Sequence, residues 1–277
     1  MAIYDQRTPT ELLGNIRQHS SPFGDGTERL AHYFAKGLEV RLNGTRTPLY
    51  TPIPSIGTLA AMPLAADVLK AYILYGSVCP FKRISNVFAN RYIAKLAEKA
   101  TTVHVIDFGI GYGFQWPCLI QRLSTRYGGP PKIRITGIDF PQPGFRPAER
   151  IEATGRRLRK CCEIVNVPFE YNAIAKRWES IQFQDLKIER DELIVVNCMY
   201  RLRNLPDDSV ILNSPRNIIL KLIKRINPDI FIHGVVNGSY NVPYFVTRFR
   251  EAFFHFSAMF DIDPDRSVDC YYITGLL

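Results

Sequence analysis

Cysteine is scarce in this sequence, and its spacing fits neither a disulfide scaffold nor a zinc ribbon. Six cysteines occur in 277 residues, Cys161 and Cys162 are neighbours, and no CxxC pair occurs. Reduced thiols in the cytosol or nucleus are therefore favoured over a secreted, disulfide-stapled domain. Residues 1–13 lack the pattern of a signal peptide, and no apolar run approaches the ~20 residues of a membrane helix. The sequence predicts neither secretion nor a membrane partner.

Several signatures of catalysis are also missing. The chain contains no HExxH, GxSxG or GxxxxGK[ST] motif, which would indicate zinc proteases, serine hydrolases and P-loop nucleotide binding. His233 and His255 each stand alone among apolar residues, a setting typical of core histidines. The sequence therefore predicts no catalytic residue and no metal site.

Charge is moderately one-sided. Lys and Arg number 35 against 26 Asp and Glu, a formal net charge of +9. Such a surplus is compatible with binding to a polyanion, and scattered solvated charge is an equal alternative because no run of six like charges occurs. Hydrophobic residues make up 46% and charged residues 22%, as in ordinary globular domains. This composition argues against a disordered chain.

The first hundred residues have helical periodicity. Residues 28–43 place Leu30, Phe34, Leu38 and Leu42 at steps of four, which predicts one apolar face of a helix. A proline-rich loop is expected over 48–63, and further helices over 67–77 and from residue 80. On the helix from residue 80, one predicted core side carries Phe81, Ile84, Val87, Phe88, Ile93, Leu96 and Ala97.

The periodicity changes near Val103, where short β-branched runs begin to alternate with helical segments. Strands are predicted over 103–107, 133–139, 169–172, 193–197 and 230–236, and helices over 115–123, 148–165, 215–226 and 243–260. Ser214 before Pro215 is a good helix start. Alternating strands and helices predict an α/β fold with a parallel sheet, and the apolar strands indicate burial on both faces.

The clearest local motif is a DxGxGxG turn directly after the first predicted strand. It contains Asp107, Gly109, Gly111 and Gly113, and Asp139 ends the second predicted strand. Glycines permit a tight turn and close approach of a ligand to the backbone. The spacing resembles motif I of S-adenosylmethionine-dependent methyltransferases, in which an acid at the position of Asp139 binds ribose hydroxyls. The alternative is that these residues only close a strand-to-helix turn.

Two further segments have a functional and a structural interpretation. Where amino-group methyltransferases carry Asn/Asp-Pro-Pro-aromatic, this chain has Asn197-Cys198-Met199-Tyr200, without either proline. The densest basic cluster contains Arg156, Arg157, Arg159 and Lys160 on a predicted helix. This cluster is a candidate for nucleic-acid phosphate contact or nuclear import, and the alternative is the solvated side of the helix.

Many motifs together resemble one family. Residues 103–107 read VHVID and are similar to the VHIID motif of the plant GRAS-domain proteins. Six further segments resemble the scarecrow-like branch of that family, at residues 16–26, 77–82, 108–109, 115–117, 134–139 and 144–149. Residues 245–252 resemble the RE end of the family's PFYRE motif. The resemblance covers roughly residues 11–261.

The resemblance implies a Rossmann-like, methyltransferase-like parallel sheet with an N-terminal helical cap. It implies a helical region over residues 1–100, a GRAS core over 101–261 and a divergent tail over 262–277. The family contains nuclear transcriptional regulators, which implies a non-catalytic protein without a cofactor. Its implied partners are other transcription factors, with a homodimer and a family heterodimer both open, and DNA contact that is weak or indirect.

Two alternatives to this regulator stay open. A methyltransferase is supported by Asp107, the three glycines and Asp139. An inactive product is the second alternative, because the family domain usually begins earlier and continues through a SAW motif that residues 262–277 do not match. A fragment, a truncated copy or an alternative gene model is therefore expected, with marginal stability.

Overall fold

The computed structural model describes residues 7–42, 65–78, 80–202, 205, 213–238, 240, 242 and 244–260. The helices are α1 (Arg7–Gln18), α2 (Gly26–Leu42), α3 (Ala65–Val78), α4 (Pro80–Leu96), α5 (Trp116–Ser124), α6 (Glu149–Ile164), α7 (Pro215–Ile226) and α8 (Phe245–Phe260). The strands are β1 (Thr102–Phe108), β2 (Lys132–Asp139), β3 (Phe169–Ala175), β4 (Leu193–Met199) and β5 (Ile230–Gly234).

The strands form one parallel sheet with β1 at its centre. Their order is β3-β2-β1-β4-β5, and all four pairings are parallel. The chain moves outward from β1 through β2 and β3, then returns to the other side of β1 for β4 and β5. Ligand crevices of such folds lie outside the carboxyl ends of the strands, where this order reverses. Asp107, Asp139 and Asn197 all lie at or next to that edge of the sheet.

The core of this sheet follows from the apolar strands and from the helices that connect them. Strands β1 and β2 are buried along almost their whole length, as expected for a sheet covered on two faces. The main apolar cluster joins strand residues to one side of α5 and α6, including Val105, Ile135, Trp116, Leu119, Ile151 and Leu158. Burying these side chains provides the main stabilisation of the fold.

The predicted fold class is confirmed, and the five predicted strands all occur as parallel strands. Helix α7 has the predicted bounds, and the Ser214 hydroxyl accepts from the Asn217 backbone N–H at 3.2 Å. Helix α1 lies in the predicted helical region of residues 1–100 but was not predicted as a separate helix, because Arg7–Gln18 is mostly polar and carries only a thin apolar stripe. The sequence also offers a candidate strand at residues 269–274, rich in Tyr and Ile, and this segment lies outside the described residues.

The predicted core side of α4 was wrong for five of its seven residues. Two are fully buried, Ile93 and Ala97, and the other five are exposed, namely Phe81, Ile84, Val87, Phe88 and Leu96. The reason is helical geometry, since Phe88 and Ile93 are five residues apart and point about 140° away from each other. The helix therefore has two separate apolar faces.

The chain divides into two compact units. Phe81–Asn237 forms one, and the described helices α1, α2, α3 and α8 belong to the other. In the helical unit, Phe34 of α2 contacts the rings of three α8 residues, Phe249, Phe253 and Phe256. The Arg41 guanidinium lies 4.0 Å from the centre of the Phe245 ring. The domain boundaries predicted from motifs stay predictions. Within the described ranges, no helix is long and apolar enough to cross a membrane.

Candidate functional site

The glycine turn after β1 is a compact backbone structure that needs its glycines. Gly109 has a φ of 91° and Gly113 a φ of 71°, backbone angles that residues with a Cβ rarely adopt. The backbone N–H groups of Gly109 and Ile110 both donate to the Ile138 carbonyl, at 2.8 and 3.2 Å. These bonds fix the turn against the end of β2.

The Asp107 carboxylate is buried beneath this turn and is held by two side-chain donors. The Trp116 indole Nε1–H donates to Oδ2 at 2.8 Å, and the Asn197 Nδ2–H donates to Oδ1 at 2.9 Å. Burial raises the pKa of Asp107 from 3.8 to about 6, while the bonds from Asn197 and Trp116 oppose that rise. Both oxygens are therefore used to hold α5 and β4 to the end of β1.

A polar chain continues from this carboxylate to α4. The Asn197 amide also lies 3.4 Å from the Gln115 side-chain oxygen. Gln115 and Asn90 then bond reciprocally, because Gln115 Nε2 donates to Asn90 Oδ1 at 3.2 Å and Asn90 Nδ2 donates to the Gln115 carbonyl at 3.0 Å. Buried polar groups need partners, and these bonds supply them for the Asp107 carboxylate, Asn90 and Gln115, whereas Asn197 Oδ1 is buried without a hydrogen-bond partner. Residues 115–116 of the motif thus anchor α4 and α5 to β1.

Asp139 lies at the carboxyl end of β2, as predicted, and both of its oxygens are engaged. Oδ1 accepts from the Phe140 backbone N–H at 2.9 Å. Oδ2 forms an ion pair with the Arg150 guanidinium at 2.8 Å. An acid that binds ribose needs oxygens directed at the ligand. Here Arg150 of α6 occupies the position beside Asp139 Oδ2 that a ribose hydroxyl would need.

The outer surface of the glycine turn is covered by the chain's own side chains. A Cβ built on Gly109 would lie 2.7 Å from Cγ of Arg201, so the arginine stem lies directly against the turn. On the α6 side, the Thr154 hydroxyl donates to the Gly111 carbonyl at 2.8 Å, and its methyl group would lie 2.9 Å from a Cβ at Gly113. Glycine is needed here for packing as well as for its φ angle.

These contacts do not fit S-adenosylmethionine. The candidate ribose acid is paired with Arg150, and the Arg201 stem lies against the Gly109 backbone, where the motif would need a ligand to come close. Sequence reasoning found Asp107, Gly109, Gly111, Gly113 and Asp139, and the structure does place them at one edge of the sheet. It did not find the two arginines or the Trp116 bond, because nothing in local spacing indicates a contact across different loops.

The segment at the end of β4 also has a structural role. Asn197 binds Asp107, and burial raises the pKa of the Cys198 thiol to about 12, so that thiol stays protonated and is a poor nucleophile. Tyr200 has a φ of 62°, its N–H donates to the Gly234 carbonyl at 3.0 Å, and its hydroxyl bonds with Ser85 of α4. The aromatic residue of this motif thus anchors α4.

A second buried polar cluster lies at the opposite end of β1. His104 Nδ1 is 2.9 Å from a Glu192 carboxylate oxygen, and Nε2 is 2.8 Å from the Thr136 hydroxyl. Arg134 of β2 also pairs with Glu192. Burial lowers the pKa of His104. Burial would raise the pKa of Glu192, but bonds from the Glu189 N–H and Arg134 outweigh it and lower that pKa. The cluster joins β1 and β2 to the segment before β4.

The four basic residues of α6 do not form a uniform surface. Arg156 pairs with Glu149 at 2.6 Å, whereas Arg157 donates to the Thr154 hydroxyl at 2.7 Å and lies over the Tyr112 ring. Arg159 and Lys160 are exposed. Three glutamates share the exposed side of this helix, namely Glu149, Glu152 and Glu163. Nucleic-acid contact by Arg156, Arg157, Arg159 and Lys160 stays a prediction.

The two histidines that the sequence analysis singled out, His233 and His255, lie beside aromatic rings. His233 in β5 stacks on Phe231, and burial lowers its pKa. His255 lies edge-on to Phe256 in α8. In the part of the chain that the structure describes, no group of three or more His, Cys, Asp or Glu residues could hold a metal ion.

The fold and the site define a Rossmann-like α/β protein whose motif residues are bonded to one another. Residues 1–268 match the GRAS domain family, and the chain belongs to this family. It is 57% identical to Scarecrow-like protein 14 and 56% identical to Scarecrow-like protein 33, both of Arabidopsis thaliana, over 95% of its length. It spans 34% and 37% of those proteins, about a third of their length.

A solved relative has the same fold. The crystal structure of SCL7 in Oryza sativa matches with a TM-score of 0.68 and 30% identity, covering 94% of this chain and 68% of that one. SCL7 has a Rossmann-like fold. Family, relatives and fold together confirm the predicted membership of the plant GRAS family and its scarecrow-like resemblance.

Proposed function

We propose that this protein is a non-catalytic nuclear regulator of transcription that acts through protein partners. Other transcription factors are the partners, and the α/β unit is the scaffold that presents surfaces to them. Membership of the GRAS family supports a regulatory role. A fold does not carry its usual chemistry with it, so the absence of methyl transfer needs support from the site itself.

One observation carries the non-catalytic part of the proposal. The polar groups at the carboxyl edge of the sheet are bonded to the chain's own side chains, Asp107 to Trp116 and Asn197, and Asp139 to Arg150. Catalysis requires groups that bind the transition state better than the ground state. Groups that are committed to internal bonds hold the fold together and are not available for that purpose.

We expect no methyl transfer from this protein. Purified protein is incubated with labelled S-adenosylmethionine and a nuclear extract, and label in any acceptor is counted. Asp107→Ala serves as the parallel variant. Since Asp107→Ala removes a buried acceptor and endangers the fold, a second variant combines Arg150→Ala with Arg201→Ala, which frees both covered positions.

The outcomes are distinct. Background label with wild type supports the proposal, and cofactor binding that is stronger in the arginine variant than in wild type supports the blocking contacts. Label that wild type transfers and Asp107→Ala does not would make the protein a methyltransferase and overturn the non-catalytic reading.

DNA contact is proposed to be weak and driven by charge, with sequence choice supplied by a partner. Replacing Arg156, Arg157, Arg159 and Lys160 with glutamine should weaken binding to duplex DNA and flatten its salt dependence, since each lost phosphate contact removes about 0.9 from the slope of log K against log salt. Replacing Lys221 and Lys224, exposed residues of α7, with glutamine is the control. Equal affinity of wild type and the α6 variant for DNA at low salt would show that these four residues do not contact DNA.

A further inference from the structure

Helix α4 presents an exposed apolar stripe formed by Phe81, Ile84, Phe88 and Tyr92. These side chains are 73%, 60%, 67% and 49% exposed. Their spacing of three and four residues places them on one face of the helix. The ring centres of Phe88 and Tyr92 are 5.6 Å apart, and Phe81 and Ile84 continue the α4 stripe toward the start of the helix. Contiguous exposed apolar surface of this kind indicates an interaction site.

The other side of α4 is firmly attached to the sheet unit. Ala89, Ile93 and Ala97 are buried there, and Asn90 is bonded to Gln115. The α4 stripe is therefore held in place before a partner arrives. A preorganised surface loses less conformational entropy on binding than a flexible one, which favours docking on this face.

The charges around the α4 stripe indicate the chemistry of its occupant. Helix α4 contains Lys82, Arg83, Arg91 and Lys95 and has no Asp or Glu. Arg91 and Lys95 follow Phe88 and Tyr92 by one helical turn, are exposed, and make no ion pair with any described residue. A partner that covers the stripe brings its own side chains close to these two cations. Carboxylates in those positions are favourable, and further cations are repelled.

We propose that the α4 stripe docks an acidic amphipathic helix of a partner protein. Apolar anchors at three- and four-residue steps match the spacing of the stripe, which is the pattern of helix-to-helix recognition, and acidic flanks meet Arg91 and Lys95. A second copy of the chain fits less well, because two α4 helices packed stripe to stripe would bring basic residues together without a single acid from α4. The inference rests on the proposed function, since it names the chemistry of the partner.

The test uses two synthetic helical peptides and the full chain. Both peptides carry leucines at three- and four-residue steps, and one has glutamates on its flanks where the other has glutamines. Affinity is measured by fluorescence anisotropy at several salt concentrations. We expect the glutamate peptide to bind more tightly, by about tenfold at low salt, and to lose this advantage as salt screens the charges.

Two variants locate the binding surface. Phe88→Ala with Tyr92→Ala should weaken the glutamate peptide by about tenfold or more, because buried aromatic anchors dominate such interfaces. Arg91→Gln with Lys95→Gln should abolish the preference for glutamate over glutamine. The control is Tyr127→Ala with Phe145→Ala, which removes two fully exposed aromatic side chains outside α4 and should change nothing.

Several results would overturn the proposal. Equal affinity for the two peptides, or unchanged affinity in the Phe88 and Tyr92 variant, removes the acidic helix from this face. A wild-type dimer that this variant dissociates in sedimentation assigns the stripe to a second copy. If a longer chain of the family fails to bind the same peptide, the α4 stripe is covered by the remaining part of that longer chain. Methyl transfer by the protein would leave the peptide result intact, so the two proposals fail separately.

Discussion

Glu192→Ala is expected to lower the free energy of unfolding by about 3 kcal/mol, at the lower end of the usual effect of removing one partner from a buried ion pair. The Glu192 side chain is only 2% exposed and pairs with Arg134 and with His104, whose side chain is 1% exposed. The substitution leaves His104 Nδ1 without its partner and removes the buried carboxylate from Arg134. The Arg134 guanidinium keeps the more exposed Glu170 and Glu189 carboxylates and the Lys187 carbonyl. Since a domain of this kind is stable by about 5–15 kcal/mol in total, much of its stability would be lost.

Glu189→Ala is the matched control for this experiment. The Glu189 carboxylate also pairs with Arg134, at 3.0 Å, but its side chain is 62% exposed. An exposed ion pair is worth about 0–1 kcal/mol, so this variant should remain close to wild type. Urea unfolding at neutral pH measures both. Similar losses in the two variants would contradict the assignment of the buried cluster as the main contributor.

Acid should weaken this cluster in the wild-type protein. The pKa of Glu192 is lowered in the fold, so its stabilising contribution is present at neutral pH and is lost as the pH falls below its ordinary value of 4.5. The pKa of His104 is also lowered, mainly by burial, so the unfolded chain gains a proton first as the pH falls below 6.5. Both shifts make the folded state less stable toward acid. Glu192→Ala should therefore show a shallower decline at low pH.

The sequence was a good guide to elements that rest on local pattern. The alternation of apolar strands and helices after Val103 predicted β1 as a strand of a parallel sheet, and Ser214 with Pro215 predicted the start of α7. Periodicity could not separate the two apolar faces of α4, because a face that packs on the sheet and a face left exposed have the same spacing. Only the position of the neighbouring strand decides which of them is buried.

The candidate site was predicted in its residues but not in its contacts. Asp107 and Asp139 were found by their places at strand ends, and the structure puts them at the same edge. Their partners come from elsewhere in the chain, Arg150 from α6 and Asn197 from β4. Such contacts depend on how the loops pack, and the spacing of residues in one sequence does not show which side chains from distant segments will meet.

The buried Asp107 carboxylate should give the protein a second, opposite pH dependence. Its pKa rises from 3.8 to about 6 on folding, chiefly through burial. The folded state therefore holds a proton at pH values where the unfolded chain has already lost it, so this group weakens the fold as the pH rises from about 4 to about 6. The difference between the two pKa values corresponds to about 3 kcal/mol.

Asp107→Asn isolates this contribution, because asparagine keeps the size of the side chain and cannot ionise. Between pH 4 and pH 7, wild type should lose about 2 kcal/mol of stability relative to Asp107→Asn, because the unfolded carboxyl is already partly ionised at pH 4. His104 and Glu192 are present in both proteins, so their opposite effects on stability cancel when the free energy of unfolding of one protein is subtracted from that of the other. Unfolding by urea at several pH values gives this difference directly. A difference that stays constant with pH would mean that Asp107 does not titrate in this range.

Trp116→Phe tests whether the indole bond, and not the bulk of the ring, stabilises the Asp107 carboxylate. Phenylalanine keeps most of the apolar volume and removes the Nε1–H that donates to Oδ2 at 2.8 Å. A hydrogen bond to a charged group contributes about 1.5–3 kcal/mol, so the variant should be less stable by that amount at pH 7. Losing this donor also moves the pKa of Asp107 further upward, since the bond favoured the charged form. At pH 4, where Asp107 is protonated, Trp116→Phe should therefore lie closer to wild type than at pH 7. An equal loss at both pH values would assign the effect to packing and leave the indole bond without a role in holding the charge.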